Sequence, residues 1–112
     1  MKVAIPVFEG KLCTHFGMAR HFAFVEADAE KKEVLGVEVL EAPAHEPGIL
    51  PQWIQSQGAE IVIVGGMGSR AQALFAEAGM AFVIGAPEEV PEKLVKDYLE
   101  GDLQTGENVC VH

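Results

Sequence analysis

The chain has little cysteine and few basic residues, and each scarcity excludes a class of protein. Only two of its 112 residues are cysteine, which excludes a secreted scaffold held by several disulfides. Eight Lys and Arg against 17 Asp and Glu give a net charge of −9, with no basic run. Nucleic acids and anionic membrane surfaces are therefore not expected as partners, because both are bound through clustered cations.

Long apolar runs are also missing. No stretch reaches the roughly 18 apolar residues that a membrane-spanning helix needs. The first residues lead directly into a strand pattern, without the charged and apolar regions of a signal peptide. We therefore expect a cytoplasmic protein whose two cysteines are thiols.

What is present is the composition of a folded domain. Hydrophobic residues make up 49% of the chain and charged residues 22%, as in ordinary globular proteins. A chain of this length buries roughly two-thirds of its unfolded surface, enough for a core. We expect a single domain over residues 1–112.

Short apolar segments separated by turns predict an α/β protein with five strands and three helices. Glycines and prolines mark most of the boundaries between these segments. The strands are predicted at residues 3–8, 22–27, 34–40, 60–64 and 80–84, and the helices at residues 48–57, 69–78 and 88–100.

The order of these elements predicts a mixed sheet with helices on both faces. Residues 28–33 form a polar turn that makes the second and third strands a hairpin. Later strands alternate with helices, and their crossovers are expected to be right-handed. The predicted five-strand order is 3-2-1-4-5, with strand 2 antiparallel to the others. Ligands in such sheets bind beyond the carboxyl ends of the parallel strands, where the strand order reverses.

Two matched tripeptides carry the candidate metal ligands. Cys13 and His15 are separated by one residue, and so are Cys110 and His112 at the end of the chain. In extended backbone such alternate residues point to one side, so each pair could direct a thiolate and an imidazole at one atom. These ligands suit iron clusters, zinc or copper. The alternative for Cys13 and His15 is a loop thiol and an imidazole hydrogen-bonded to the backbone, and for Cys110 and His112 it is a frayed chain end.

The predicted strand order brings further candidates to the same edge. Cys13 and His15 follow the first strand, His45 follows the third, and a glycine-rich loop follows the fourth. Glycines let backbone amides approach a ligand, and the start of the next helix favours an anion. The candidate cofactor-binding residues are Gly65, Gly66, Met67, Gly68, Ser69 and Arg70. The segment Gly66-x-Gly68-x-x-Ala71 also fits a dinucleotide fingerprint, but no acidic residue ends the next strand to hold a ribose.

Four segments together resemble the dinitrogenase iron-molybdenum cofactor biosynthesis family. They are HFGMA at residues 15–19, IVIVGGMGSR at 61–70, GMAFV at 79–83 and YLEGDL at 98–103. The resemblance implies a ribonuclease H-like α/β fold and binding of iron-molybdenum cofactor or its iron-sulfur precursor. It places His15 at the family's loop histidine. His45 stands where many members have His-Gly, although here Glu46 follows it.

The sequence is therefore interpreted as a non-enzymatic carrier of an iron-molybdenum or iron-sulfur type cluster, or its precursor, in metallocofactor biosynthesis. Its expected partners are cluster donor and acceptor proteins, without nucleic acid or membrane, and homo-oligomerisation is left open. The predicted metal ligands are Cys13, His15, His45, Cys110 and His112.

Three alternatives remain at this point. The first is a nucleotide- or anion-binding regulatory module that uses the Gly65–Gly68 loop. The second is a nuclease, whose two metal ions need clustered carboxylates, although residues 2–8 contain no Asp or Glu. The third is an interaction domain whose ligand site is empty.

Overall fold

The computed structural model describes residues 1–14, 16, 19–43 and 49–106. Within these ranges the chain forms six strands and three helices, none long and apolar enough to cross a membrane. The strands are β1 (Lys2–Phe8), β2 (Lys11–Leu12), β3 (His21–Asp28), β4 (Glu33–Glu41), β5 (Ile61–Ile63) and β6 (Ala81–Val83). The helices are α1 (Ile49–Ser56), α2 (Ser69–Glu77) and α3 (Pro91–Glu100).

The strands form one open mixed sheet. Its path is β4-β3-β1-β5-β6, and β2 pairs with β1 outside this path. Strands β1, β5 and β6 are parallel to one another, whereas β3 runs antiparallel to both of its neighbours. The predicted mixed α/β sheet with three helices is confirmed, but the predicted count of five strands is wrong. The additional strand, β2, has two residues after a tight turn at Glu9 and Gly10, too few to show an alternating pattern.

Both faces of the sheet are covered because β1 is apolar on both sides. Val3, Ile5 and Val7 pack in one apolar cluster, which includes Leu94 and Val95 of α3. Ala4, between them in sequence, packs in the other cluster, with residues of α1 and α2. The alternation places α3 on one face and the two other helices on the opposite face. The predicted placement of helices on both faces is therefore confirmed.

Helix α2 begins at Ser69 as predicted, but its cap and the start of α3 differ from the sequence pattern, which favours Ser69 as an N-cap with Gln72 as its capping-box partner. Gly68, not Ser69, is the N-cap of α2, and the Gln72 side chain donates a hydrogen bond to the Met67 carbonyl instead of closing a capping box. Helix α3 begins at Pro91, three residues later than predicted. Its N-cap, Val90, is extended, as expected for a residue that precedes proline.

Candidate functional site

Cys13 is held at the carboxyl end of β1 by the backbone around it. Its N–H donates to the Pro6 carbonyl at 2.8 Å. The N–H of Leu12 donates to the Glu89 carbonyl at 2.9 Å, which ties this segment to the chain leading into α3. The Cys13 side chain is half-buried and packs against the apolar cluster that includes α1 and α2. The loop therefore fixes the thiol at the edge of the core, within reach of the surface.

Gly65 brings the glycine loop into contact with the Cys13 segment. A Cβ atom at Gly65 would lie 3.1 Å from Leu12 Cδ2 and 3.2 Å from Thr14 Cα, closer than ordinary packing allows. Only glycine fits this approach without displacing the neighbouring loop. With consecutive Cα atoms 3.8 Å apart, this contact places the Cα atoms of Cys13 and Gly66 within about 13 Å of each other. The structure thus brings together the loops that follow β1 and β5.

Two further segments join this contact. The Gly85 N–H donates to the Gly65 carbonyl at 2.9 Å, and the Gly106 N–H donates to the Gly85 carbonyl at 2.7 Å. Gly85 has φ +90°, and a Cβ there would overlap the Gly106 carbonyl. The chain beyond α3 therefore returns to the carboxyl ends of the parallel strands. We call the line of Thr14, Gly65, Gly85 and Gly106 the glycine edge.

Phe16 anchors the loop that continues from Cys13. Its buried ring makes edge-to-face contacts with Phe75 of α2 at 5.5 Å and with Phe22 of β3 at 5.9 Å between ring centroids. The loop is thereby attached to the helix that follows the glycine loop. The sequence places Phe16 in the HFGMA motif but does not predict this packing role. The signal for its structural role was a single aromatic residue between two loop residues, His15 and Gly17.

The predicted cofactor-binding residues occupy different environments. The Met67 side chain is fully buried among the core residues, so it contributes packing and does not present its sulfur at the surface. Ser69 and Arg70 are exposed at the start of α2, and Gly66 is buried. Because the Met67 side chain is fully buried, Met67 could contact a ligand only through its backbone.

Four of the five predicted metal ligands lie outside the described residues: His15, His45, Cys110 and His112. Within residues 1–14, 16, 19–43 and 49–106, no three or more His, Cys, Asp or Glu side chains form a group that could hold a metal ion. Cys13 is therefore the predicted metal ligand whose position the structure describes.

These features define a small α/β protein in which three loops and the chain beyond the last helix converge at one edge of a mixed sheet. The chain belongs to the dinitrogenase iron-molybdenum cofactor family, which it matches over residues 1–101. This membership confirms the family resemblance seen in the sequence.

Similar proteins support the same fold. The crystal structure of PH0822 superposes with a TM-score of 0.83 at 35% identity, covering 94% of each chain. An uncharacterised protein of Methanocaldococcus jannaschii, MJ0580, is 30% identical over 109 residues, covering 93% of this chain and 90% of that protein. The apo form of the orange protein from Desulfovibrio gigas is similar at a TM-score of 0.70 and 20% identity, covering 96% of this chain and 93% of that one. At this identity the likeness shows the fold alone.

Proposed function

We propose that the protein is a non-enzymatic carrier that binds an iron-molybdenum or iron-sulfur type cluster, or its precursor, as cargo during metallocofactor biosynthesis. Family membership over residues 1–101 supports the class of cargo. The observation that carries the proposal is the glycine edge, where three backbone segments meet beside the Cys13 loop. The ribonuclease H-like motif implied by the resemblance is part of the proposal, supported by the path β4-β3-β1-β5-β6.

The chemistry at this edge suits an anionic cluster. In the thiolate form, Cys13 would be a ligand of the kind that iron-sulfur clusters require. Helix α2 has no side-chain hydrogen bond at its N-cap and no acidic residue in its first turn. The partial positive charge of its first amides is therefore not offset there, which favours a negative cargo. The proposed carrier needs no reacting group beyond these ligands and dipoles.

The end of the described chain supplies a second argument for this site. Gly106 is hydrogen-bonded at the glycine edge, and Cys110 follows four residues later. Four residues of extended chain span at most about 14 Å. That reach is comparable to the distance between Cys13 and Gly66 along this edge. We therefore propose that Cys110 and His112 are ligands of the same cargo, together with His15 and His45.

The test is anaerobic reconstitution of the purified protein with iron and sulfide, followed by iron and sulfide analysis and a visible absorption spectrum. We expect the wild-type protein to retain a cluster. Cys13→Ala should lower its retention about 10-fold or more, and Cys13→Ala with His15→Ala should abolish it. Thr14→Ala is the matched control, because Thr14 is the next residue and is similarly half-buried.

The outcomes are clearly separated. No cluster in the wild-type protein would reject the carrier proposal. Unchanged iron content in the double variant would reject the ligand assignment. Loss of iron in Thr14→Ala as large as in Cys13→Ala would mean that loop distortion, and not the thiol, is responsible.

The second candidate function is a nucleotide- or anion-binding regulatory module. The uncapped start of α2, directly after the glycine loop, favours it. Calorimetric titration with ATP and with inorganic phosphate separates the two candidates. Binding that survives Cys13→Ala but is lost in Arg70→Ala would support the regulatory module. Cluster retention that depends on Cys13, without nucleotide binding, would support the carrier.

A further inference from the structure

Strand β4 forms one edge of the sheet and exposes apolar side chains. Within the described part of the chain it pairs with β3 on one side, and no strand pairs with its other side. Leu35 is 62% exposed, Val37 40% and Val39 55%. An edge strand also presents unpaired N–H and C=O groups, to which another strand can bind. With nine residues, β4 is three times as long as β6 at the opposite edge.

Val37 and Val39 lie on the face of the sheet that α3 packs against. Val37 pairs with Val25 and Val39 with Ala23, and both partners belong to the apolar cluster beneath α3. A helix is roughly 10 Å wide. Five strands about 4.8 Å apart extend over roughly 19 Å between the outermost strands. Helix α3 contacts β4 near its start, where Val34 packs against the same cluster, but Leu35, Val37 and Val39 stay exposed.

The sequence of β4 is complementary to itself when one copy is reversed. It reads Glu-Val-Leu-Gly-Val-Glu-Val-Leu-Glu, with Val37 at its centre. In an antiparallel pair related by a two-fold axis at Val37, this residue faces its own copy. Leu35 then lies opposite Val39 of the second copy, and Gly36 opposite its Glu38. Apolar side chains meet on one face, which is the kind of cross-strand pair that stabilises sheets.

We propose that two copies of this chain associate through antiparallel pairing of their β4 strands about Val37, which joins their sheets into one. The palindromic pattern points to a second copy because a two-fold interface requires a surface that complements itself. Nine residues per copy are fewer than the roughly 20–30 per side of a stable interface, so the dimer is reversible and concentration-dependent.

Two features of β4 limit the strength of this association. Leu35 is the extra residue of a bulge, since Glu26 pairs with Gly36 and Ala27 pairs with Val34. A bulge disturbs regular pairing along an edge. The same register also places Glu33 opposite Glu41 of the second copy, and like charges directly opposite are unfavourable.

The dimer leaves the two glycine edges apart. Antiparallel pairing about an axis perpendicular to the sheet points the carboxyl ends of β1 and β5 in opposite directions in the two copies. Each copy therefore holds its own cargo. The interface is independent of the proposed cluster site, so either proposal can fail while the other stands.

The test uses sedimentation equilibrium of the full chain from about 10 μM to about 1 mM, a range that covers reversible association. We expect the wild-type protein to shift from monomer to dimer over this range. Val37→Lys and Val37→Glu should each remain monomeric. The two-fold axis brings residue 37 of both copies together, so two like charges would repel each other. An equimolar mixture of the two variants should dimerise again, since opposite charges then meet at the axis.

The control is Ala81→Lys, which adds the same charge to an exposed residue of the opposite edge strand, β6. It should dimerise like the wild-type protein. A wild-type protein that stays monomeric near 1 mM overturns the proposal, and so does a Val37→Lys variant that dimerises normally. If the mixed variants fail to associate, the register about Val37 is wrong. Iron content per chain after reconstitution should be equal in Val37→Lys and the wild-type protein.

Discussion

Gly65 lets two loops of the site approach each other closely because glycine has no side chain. Replacing it with alanine would place a methyl group 3.1 Å from Leu12 Cδ2 and 3.2 Å from Thr14 Cα. The loop would have to move, and overpacking of this kind costs about 1–3 kcal/mol. We therefore expect Gly65→Ala to lower the free energy of unfolding by that amount and to lower iron retention.

Urea unfolding followed by fluorescence measures this effect. Trp53 is the single tryptophan and packs edge-to-face with Phe22 and Phe24, so its emission reports on the core. Gly68→Ala is the control, because a Cβ at Gly68 meets nothing within 4 Å among the described residues. Equal stability of the two variants would show that the close approach at Gly65 has no energetic weight.

The sequence identified Cys13 and the glycine loop as neighbours but not the contact between them. The strand order follows from the order of strands and helices along the chain and from the right-handed crossovers. The loops that carry Cys13 and Gly65 could therefore be placed at one edge of the sheet. The contact of Thr14 with Gly65 depends on shifts of a few tenths of an ångström between backbones, which no residue pattern encodes. The packing of Phe16 on Phe75 was missed for the same reason.

At the scale of elements, the prediction worked best for long segments and worst at boundaries. The hairpin of β3 and β4 was predicted because two alternating strands flank a polar turn. Strand β2 was missed because pairing to β1, and not its own two residues, defines it. The start of α3 was placed too early because acidic residues at positions 88 and 89 suggested a first helical turn, whereas Pro91 sets it.

The segment after α3 is fixed through Gly85. Gly85→Ala would put a Cβ on the Gly106 carbonyl and would force alanine to φ +90°. We expect faster hydrogen exchange of the Gly106 amide, which donates to Gly85, and lower iron retention. The matched control is Gly58→Ala, where φ is also +90° but the nearest atom is Lys2 Nζ at 3.6 Å.

The two variants separate backbone strain from the lost contact. Gly58→Ala should lose about 1 kcal/mol of stability, the usual cost of alanine at positive φ, and Gly85→Ala should lose more because its Cβ also overlaps Gly106. Only Gly85→Ala should change exchange at Gly106. Similar exchange in both variants would mean that the hydrogen bond between Gly106 and Gly85 does not hold the segment.

At the scale of the whole molecule, two different edges of the sheet have separate roles in our proposals. The glycine edge lies at the carboxyl ends of the parallel strands and would hold the cargo. The outer strand β4 is apolar, exposed and self-complementary, and would hold a second copy. This separation would let the proposed carrier change its oligomeric state without opening its proposed binding site.

The last prediction concerns the end of the chain. Among the described residues, both apolar clusters are built from residues up to Leu103, so we expect removal of residues 109–112 to leave the folded core and its melting temperature unchanged. Metal affinity should fall about 10-fold, because Cys110 and His112 would be lost from a site that the chain reaches through Gly106. The full chain with Cys110→Ala and His112→Ala should show the same loss, which separates the ligands from the mere presence of the tail. If the truncated protein binds iron as tightly as the full chain, the second Cys-x-His pair is a coincidence of sequence and the cargo is held without it.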